Sequence, residues 1–79
     1  MRNIADVIEE AIKVEGVPES LKKNLLHILK EKVAYCPPEQ MGLMWHESQI
    51  YINGHMPKDP KNLLRWQKNF LKVWTGKDF

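Results

Sequence analysis

Proline and glycine divide this chain into four segments, each about as long as a helix of a small protein. Gly16 and Pro18 separate the first segment from the second, and Pro37-Pro38 ends the second. Glycine is common just after a helix, and proline disfavours helical geometry in the residue before it. Asn53-Gly54 and Asp59-Pro60 mark the last boundary. These breaks predict an all-α protein, a compact bundle of four short helices.

The first two segments have the apolar periodicity of amphipathic helices that form a hairpin. Asn3 is the predicted N-cap of the first helix and Gly16 its predicted end. Pro18 and Glu19 begin the second helix. The residues predicted to face the core are Ile4, Val7, Ile8 and Ala11 in the first helix and Leu21, Leu25, Leu26, Ile28, Leu29 and Val33 in the second. The connection is short, so the two helices are expected to pack against each other.

The third helix is predicted to begin after Pro37-Pro38, with Met41, Met44, Trp45 and Ser48 on one face. Residues 49–56 allow two structures. Ile50-Tyr51-Ile52 is β-prone, and Asn53-Gly54 is a common hairpin turn. A second strand would contain Pro57, which removes a ladder donor. We therefore favour a helix that continues to Ile52 and ends in a left-handed cap at Asn53-Gly54.

The last helix is predicted over 60–75, with Asp59 as its N-cap and Gly76 after its C-terminus. It separates charge from apolar surface. Lys61, Arg65, Lys68 and Lys72 follow one face, and Leu63, Leu64, Trp66, Phe70, Leu71, Val73 and Trp74 cover nearly half of the opposite side. One neighbouring helix cannot cover an arc of that width. Either two helices flank it, or part of it meets another chain.

Size and composition predict one small helical domain over residues 1–79. Cys36 is the only cysteine, so the chain has no internal disulfide, which is typical of a reducing compartment. It has no apolar run long enough to span a bilayer, and its N-terminus does not resemble a signal peptide. We expect a cytoplasmic protein without a membrane association, because the apolar faces are needed for the core.

Charge is distributed unevenly along the chain. Residues 1–20 contain two basic and five acidic residues, whereas residues 61–79 contain five basic residues and one acidic residue. The two ends either attract each other within the fold or face different partners. Exposed ion pairs contribute only about 0–1 kcal/mol each, so attraction between the two ends would add little to the stability of the fold.

The sequence does not indicate an enzyme. His27, Cys36, His46 and His55 lack the close spacing of metal-ligand pairs. Cys36 precedes two prolines at a helix C-terminus, where the helix dipole disfavours a thiolate. The chain has no phosphate-binding or dinucleotide-binding glycine motif. We expect no catalytic residues, no metal and no cofactor.

The predicted function is that of a small regulator or inhibitor that self-associates and docks on a macromolecular partner, for which the sequence favours a protein. Chains of this size are typical of regulators that phages and mobile elements encode. The predicted apolar contact residues are Trp45 and Met44 with Trp66, Phe70, Val73 and Trp74 of the last helix, and the predicted basic contact residues are Lys61, Arg65, Lys68 and Lys72. Tryptophan is enriched at interface hot spots, and lysines steer association with acidic surfaces.

Two alternatives remain open from the sequence. The basic stripe has a spacing that would track phosphates along DNA or RNA, although a net charge of +2 is low for such a protein. An oligomer could also bind a small anion or nucleotide at the helix N-termini near Pro18, Pro38 and Pro60.

Overall fold

The computed structural model describes residues 3–77, which form four α-helices and contain no strand. The helices are α1 (Ile4–Ala11), α2 (Glu19–Glu31), α3 (Met41–Asn53) and α4 (Arg65–Thr75), with 3₁₀ turns at Val33–Tyr35, Pro38–Gln40 and Pro60–Asn62. The predicted all-α bundle of four short helices is thus confirmed. Arg2 and Asp78, which contribute to the charge of the two ends, lie outside the described residues. Within residues 3–77 no helix is both long and apolar enough to cross a membrane.

The shortest helix, α1, lies at the centre and contacts the other three. Its predicted core residues Ile4, Val7, Ile8 and Ala11 are all buried. The Asn3 side chain caps it by accepting a 2.8 Å hydrogen bond from the N–H of Ala5. The helix ends at Ala11, however, so the expectation that it extends to Gly16 is wrong. The chain instead turns through residues 12–16 and thereby brings Val17 into the core.

The second helix packs on both α1 and α3. It begins after Pro18 as predicted, and Leu21, Leu25 and Ile28 are buried along its inner face. Leu26 and Leu29 are half-buried at the sides of this face. The helix ends at Glu31, so the prediction that it continues to Pro37-Pro38 is wrong, and a separate 3₁₀ turn at Val33–Tyr35 leads to Pro37.

The third helix includes the β-prone residues, so the helical interpretation of this segment is confirmed. The left-handed cap is wrong: Gly54 has φ −63°, and its N–H donates to the carbonyl of Ile50. A right-handed Gly54 lets the chain continue in tight turns, in which His55 donates to Ile52. These turns carry the chain from α3 towards the start of α4.

The last helix begins at Arg65, so the prediction of one helix from Pro60 is wrong at this end. Asp59 caps only the 3₁₀ turn, and Leu63 and Leu64 are extended. The reason is the buried side chain of Gln67. Its Oε1 accepts a 2.7 Å hydrogen bond from the N–H of Leu64, and its Nε2 donates at 2.7 Å to the carbonyl of His55. Gly76 ends α4 with φ +74°, as predicted.

Candidate docking surface

Two of the predicted contact residues lie inside the bundle. Phe70 is fully buried and Trp74 is 4% exposed. The Trp74 ring stacks on Phe70 at 6.1 Å and meets Trp45 edge-on at 5.1 Å between centroids. Its Nε1 donates a 3.0 Å hydrogen bond to Oε1 of Gln49 in α3. A partner could not contact Phe70 or Trp74 in this fold, so we remove both from the candidate surface.

The other predicted apolar residues are half-buried at the edge of the core. These are Met44 and Trp45 in α3 and Trp66 and Val73 in α4. Trp66 lies directly against Gly16, where an added Cβ would be 2.9 Å from the Trp66 Cβ. Its other side borders a depression of about 400 Å³ that Glu15, Arg65 and Asn69 also line. Leu63 and Leu64 precede α4, so the apolar arc of the helix is narrower than the sequence predicted. Contacts with α1 and α3 cover this arc from within the chain.

The four predicted basic residues are all exposed. Arg65, Lys68 and Lys72 lie three and four residues apart, so they share one face of α4. Lys61 is on the separate 3₁₀ turn, because the helix begins later than expected. Among residues 3–77, the ion pairs are Lys22–Glu19 and Lys32–Glu47, and neither includes α4. The face is available to an anionic partner.

Another helix, α3, is apolar on two opposite sides. Its inner side carries Ser48 and Ile52, which are buried. Leu43 and Ile50 are seven residues apart, so they lie one above the other, two turns apart, on the side away from the core. They are 62% and 59% exposed, and the adjacent Tyr51 is 38% exposed. The described part of the chain covers the inner side of α3 and leaves this apolar pair exposed.

We define the outer face of α3 as Leu43, His46, Glu47 and Ile50, with Gly42 and Tyr51 at its two edges. At 100° per residue, His46 and Glu47 lie on either side of the line that joins Leu43 to Ile50. Lys32, the residue that follows α2, donates a hydrogen bond to Oε1 of Glu47, so this carboxylate is held beside the end of α2. The hydrogen bond with Glu47 also raises the pKa of Lys32.

The outer face of α3 differs in charge from the other helices. No lysine or arginine occurs from Val33 to Pro57, although the chain has twelve in total. Charged residues are depleted at the centres of protein interfaces, where aromatic residues and methionine are enriched. Met44 and Tyr51 adjoin the apolar pair and give this surface the aromatic and methionine content of an interface centre, and the one carboxylate on it, Glu47, is paired with Lys32.

Sequence reasoning missed Leu43 and Ile50 because it searched for a single apolar stripe in each helix. A signal was present, since Leu43 and Ile50 lie on the side of the helix opposite Ile52 and basic residues are missing from this segment. The buried Gln67 was missed as well, and no pattern identifies it. Its bond with the N–H of Leu64 is local, but its other partner, the carbonyl of His55, belongs to a loop that the sequence does not place.

A second open depression, of about 610 Å³, lies between α1, α2 and α3 and is bordered by Glu9, Leu29, Lys30 and Met41. Within residues 3–77 no three histidine, cysteine or acidic side chains are grouped so that they could hold a metal ion.

The fold and the surface define a small all-α bundle with one exposed apolar helix face. No protein-family model, curated protein or solved structure matches the chain.

Proposed function

We propose that this chain is a non-enzymatic cytoplasmic interaction protein that docks on another protein through the outer face of α3, as a small regulator or inhibitor does. One observation supports this proposal above the others. Leu43 and Ile50 are more than half exposed on one side of a helix whose opposite side fills the core. The docking surface is thus moved from the buried aromatic residues of α4 to the apolar pair of α3.

The free energy available at this face is sufficient for recognition. Full burial of one leucine or isoleucine side chain stabilises by about 1.5–3 kcal/mol. Tyr51 adds apolar area and a hydroxyl at the edge of the face, which is the combination favoured at interface hot spots. Burial against a partner would recover this free energy, which the described chain leaves unused.

The test compares proteins retained from an extract of the native host. The bait is the chain itself or its Leu43→Ser/Ile50→Ser variant, and retained proteins are quantified by mass spectrometry. We expect that the unchanged chain retains specific proteins that the Leu43→Ser/Ile50→Ser variant does not retain. Leu64→Ser is the matched control, because Leu64 is 58% exposed but lies outside α3. An identical set of retained proteins for all three baits would contradict the proposal.

A second candidate function is binding of a nucleic acid by α4. It is favoured by the exposed row of Arg65, Lys68 and Lys72, which pairs with no described acidic residue. Cations that contact phosphates release counterions, so the logarithm of the binding constant falls by about 0.9 for each tenfold rise in salt and each phosphate contact on duplex DNA. Replacement of all three by glutamine should make this salt dependence shallower by the amount that about three phosphate contacts contribute. Binding that keeps its slope in this variant would exclude α4 as the nucleic-acid surface.

A further inference from the structure

The depression beside Trp66 brings an aromatic ring, a carboxylate, an amide and a guanidinium to one open space of about 400 Å³. We propose that it binds the guanine base of a nucleotide, with the phosphate of that nucleotide at Arg65 on the basic face of α4. The proposal rests on the second candidate function, binding of a nucleic acid by α4, and names the base that is selected. The volume lies in the range of about 300–1,000 Å³ that is usual for small-ligand sites.

The side chain of Trp66 is held in place by the protein itself. The left-handed Gly16 lies against it, since an added Cβ would be 2.9 Å from the Trp66 Cβ and 3.4 Å from its Cγ. The ring of Phe70 meets the indole at 79°, with 6.4 Å between centroids. The indole is nevertheless only half-buried, and it borders the depression. A fixed, partly exposed aromatic ring is the kind of platform on which unpaired bases stack.

The polar side chains of the depression are free to bind a ligand. Neither of the ion pairs found within residues 3–77 includes Glu15 or Arg65, although these opposite charges border the same space. No hydrogen bond of the described residues involves the side-chain amide of Asn69. All three side chains are exposed, so a ligand would contact them without breaking a bond of the fold.

The carboxylate of Glu15 favours guanine among the bases. An ionised carboxylate only accepts hydrogen bonds. Guanine has two adjacent donors, N1–H and the N2 amino group, which the two oxygens of one carboxylate can accept side by side. In adenine, cytosine and thymine each donor on the pairing edge has an acceptor next to it, and that acceptor repels a carboxylate. The amide of Asn69 supplies a donor for the O6 or N7 acceptor of guanine.

The order of side chains around α4 orients the nucleotide. At 100° per residue, Asn69 lies about 40° from Arg65 and about 60° from Trp66, so the depression begins where the basic face ends. Arg65 attracts the phosphate, and the two lysines of the same face continue towards the next phosphates of a strand. Glu15 precedes Gly16 and lies at the Trp66 end, where its charge repels phosphate and leaves the space to the base. An acidic peptide would be attracted by Arg65 but repelled by Glu15.

The first test measures base preference. Fluorescence anisotropy compares labelled single strands of about eight nucleotides, a usual site size, which contain only thymidine or one central guanine, adenine or cytosine. The guanine strand should bind at least about fivefold more tightly than the others, as one bidentate base contact provides. Calorimetry with GMP and AMP separates the two sources of the base. Binding of GMP without a preference for the guanine strand would assign the site to a free nucleotide.

Glu15→Gln distinguishes base recognition from a general effect of charge. Glutamine replaces two acceptors by one acceptor and one donor, so the preference for guanine should disappear. Affinity for the thymidine strand should stay the same or rise, because a negative charge is removed. If Glu15 acts only through its charge, both strands gain affinity by the same factor and the preference persists. Glu39→Gln is the control, because Glu39 is exposed and does not border the depression.

The stacking platform is tested at Trp66. Trp66→Leu should weaken binding of the guanine strand by at least about fivefold, whereas Trp66→Phe keeps a ring and should lose less. Circular dichroism and urea unfolding verify that both variants are folded. NMR locates the site in the unchanged chain without relying on a variant's stability. The indole N–H signal of Trp66, which Trp66→Phe identifies, should shift with the guanine strand more than those of Trp45 and Trp74.

Three outcomes would overturn the inference: equal binding of all probes, a preference that survives Glu15→Gln, or an indole signal of Trp66 that does not move. The second candidate function fails separately. If strands bind without base preference and the triple glutamine variant of α4 loses their salt dependence, α4 contacts phosphates alone and only the guanine site falls. If neither the strands nor GMP bind at low salt, both fail, and the basic face is left to an acidic protein.

Discussion

The indole N–H of Trp74 donates a hydrogen bond of 3.0 Å to the side-chain oxygen of Gln49, and this contact joins the last helix to the third. The Trp74 ring is otherwise enclosed by Phe70 and Trp45. A tryptophan that resembled an interface anchor in the sequence is therefore part of the core. Its polar atom has a partner within the same chain, as buried indoles generally require.

Replacement of Trp74 by alanine should destabilise the monomer by about 3–5 kcal/mol, the usual cost of deleting a buried aromatic side chain. Domains of this kind are stable by only about 5–15 kcal/mol, so a large part of the stability would be lost. Urea unfolding followed by circular dichroism measures the change. Lys72→Ala, on the exposed face of the same helix, should change stability by no more than about 0.5 kcal/mol. Equal effects of the two substitutions would show that Trp74 is not a core residue.

Replacement of Gly16 by alanine should destabilise the fold by about 1–3 kcal/mol. Gly16 has φ +94°, which side-chain-bearing residues rarely adopt, and the new Cβ would be 2.9 Å from the Cβ of Trp66. Gly42→Ala is the matched control, since Gly42 is helical and has open space around it. The free energy of unfolding of Gly42→Ala should rise by about 0.5–1 kcal/mol, because alanine is the better helix former. A neutral Gly16→Ala would mean that the turn is not held in this conformation.

Replacement of Ser48 by alanine should stabilise the protein by about 1–2 kcal/mol. The Ser48 hydroxyl is fully buried and has no hydrogen-bond partner among the described residues. A buried polar group without a partner costs about 1–3 kcal/mol, and alanine also favours the helix. Ser20→Ala, at an exposed position in the first turn of α2, should change stability by less than about 0.5 kcal/mol. A loss of stability in Ser48→Ala, measured by thermal or urea unfolding, would mean that the hydroxyl has a stabilising partner.

The contact between Lys32 and Glu47 should stabilise the fold in a pH-dependent manner. The hydrogen bond to Glu47 raises the pKa of Lys32 above its ordinary value of 10.5, so folding favours the protonated amine. The contribution is therefore fully present below pH 10.5 and is lost as the pH rises through the higher pKa of the folded state. The stability difference between the unchanged chain and Lys32→Met, measured by urea unfolding from pH 7 to above 11, should decrease at the alkaline end. The comparison removes the titration of tyrosines, which both proteins share. A difference that is constant over this range would contradict the assignment.

The sequence predicted the elements and their inner faces because each depends on local chemistry. Asn3 caps α1 and Gly76 ends α4 because an amide side chain and a left-handed glycine satisfy helix termini in any context. The buried residues of α1 and α2 followed from a 3.6-residue period. Phe70 shares a face with Trp74 by the same rule, but periodicity alone could not decide whether the cover came from this chain or another.

The start of the last helix was beyond sequence reasoning for a specific reason. Pro60 after Asp59 is a good helix beginning, and it does begin a 3₁₀ turn. Gln67 then accepts a hydrogen bond from the N–H of Leu64 and donates one to the carbonyl of His55, and the second bond forms only when the loop folds back on α4. The two hydrogen bonds outweigh the local preference for a continuous helix. Lys61 is separated from the other basic residues as a consequence.

The sequence by itself determined an all-α chain, the inner faces of its first two helices and the basic face of its last one. Only the tertiary structure decided which apolar residues remain exposed. Trp74 and Ile50 are both large and apolar, and their burial differs because α1 and α3 close over one while the described chain provides no neighbour for the other. Exposure depends on how many helix faces the bundle can cover, which is a property of the packed arrangement and not of any one segment.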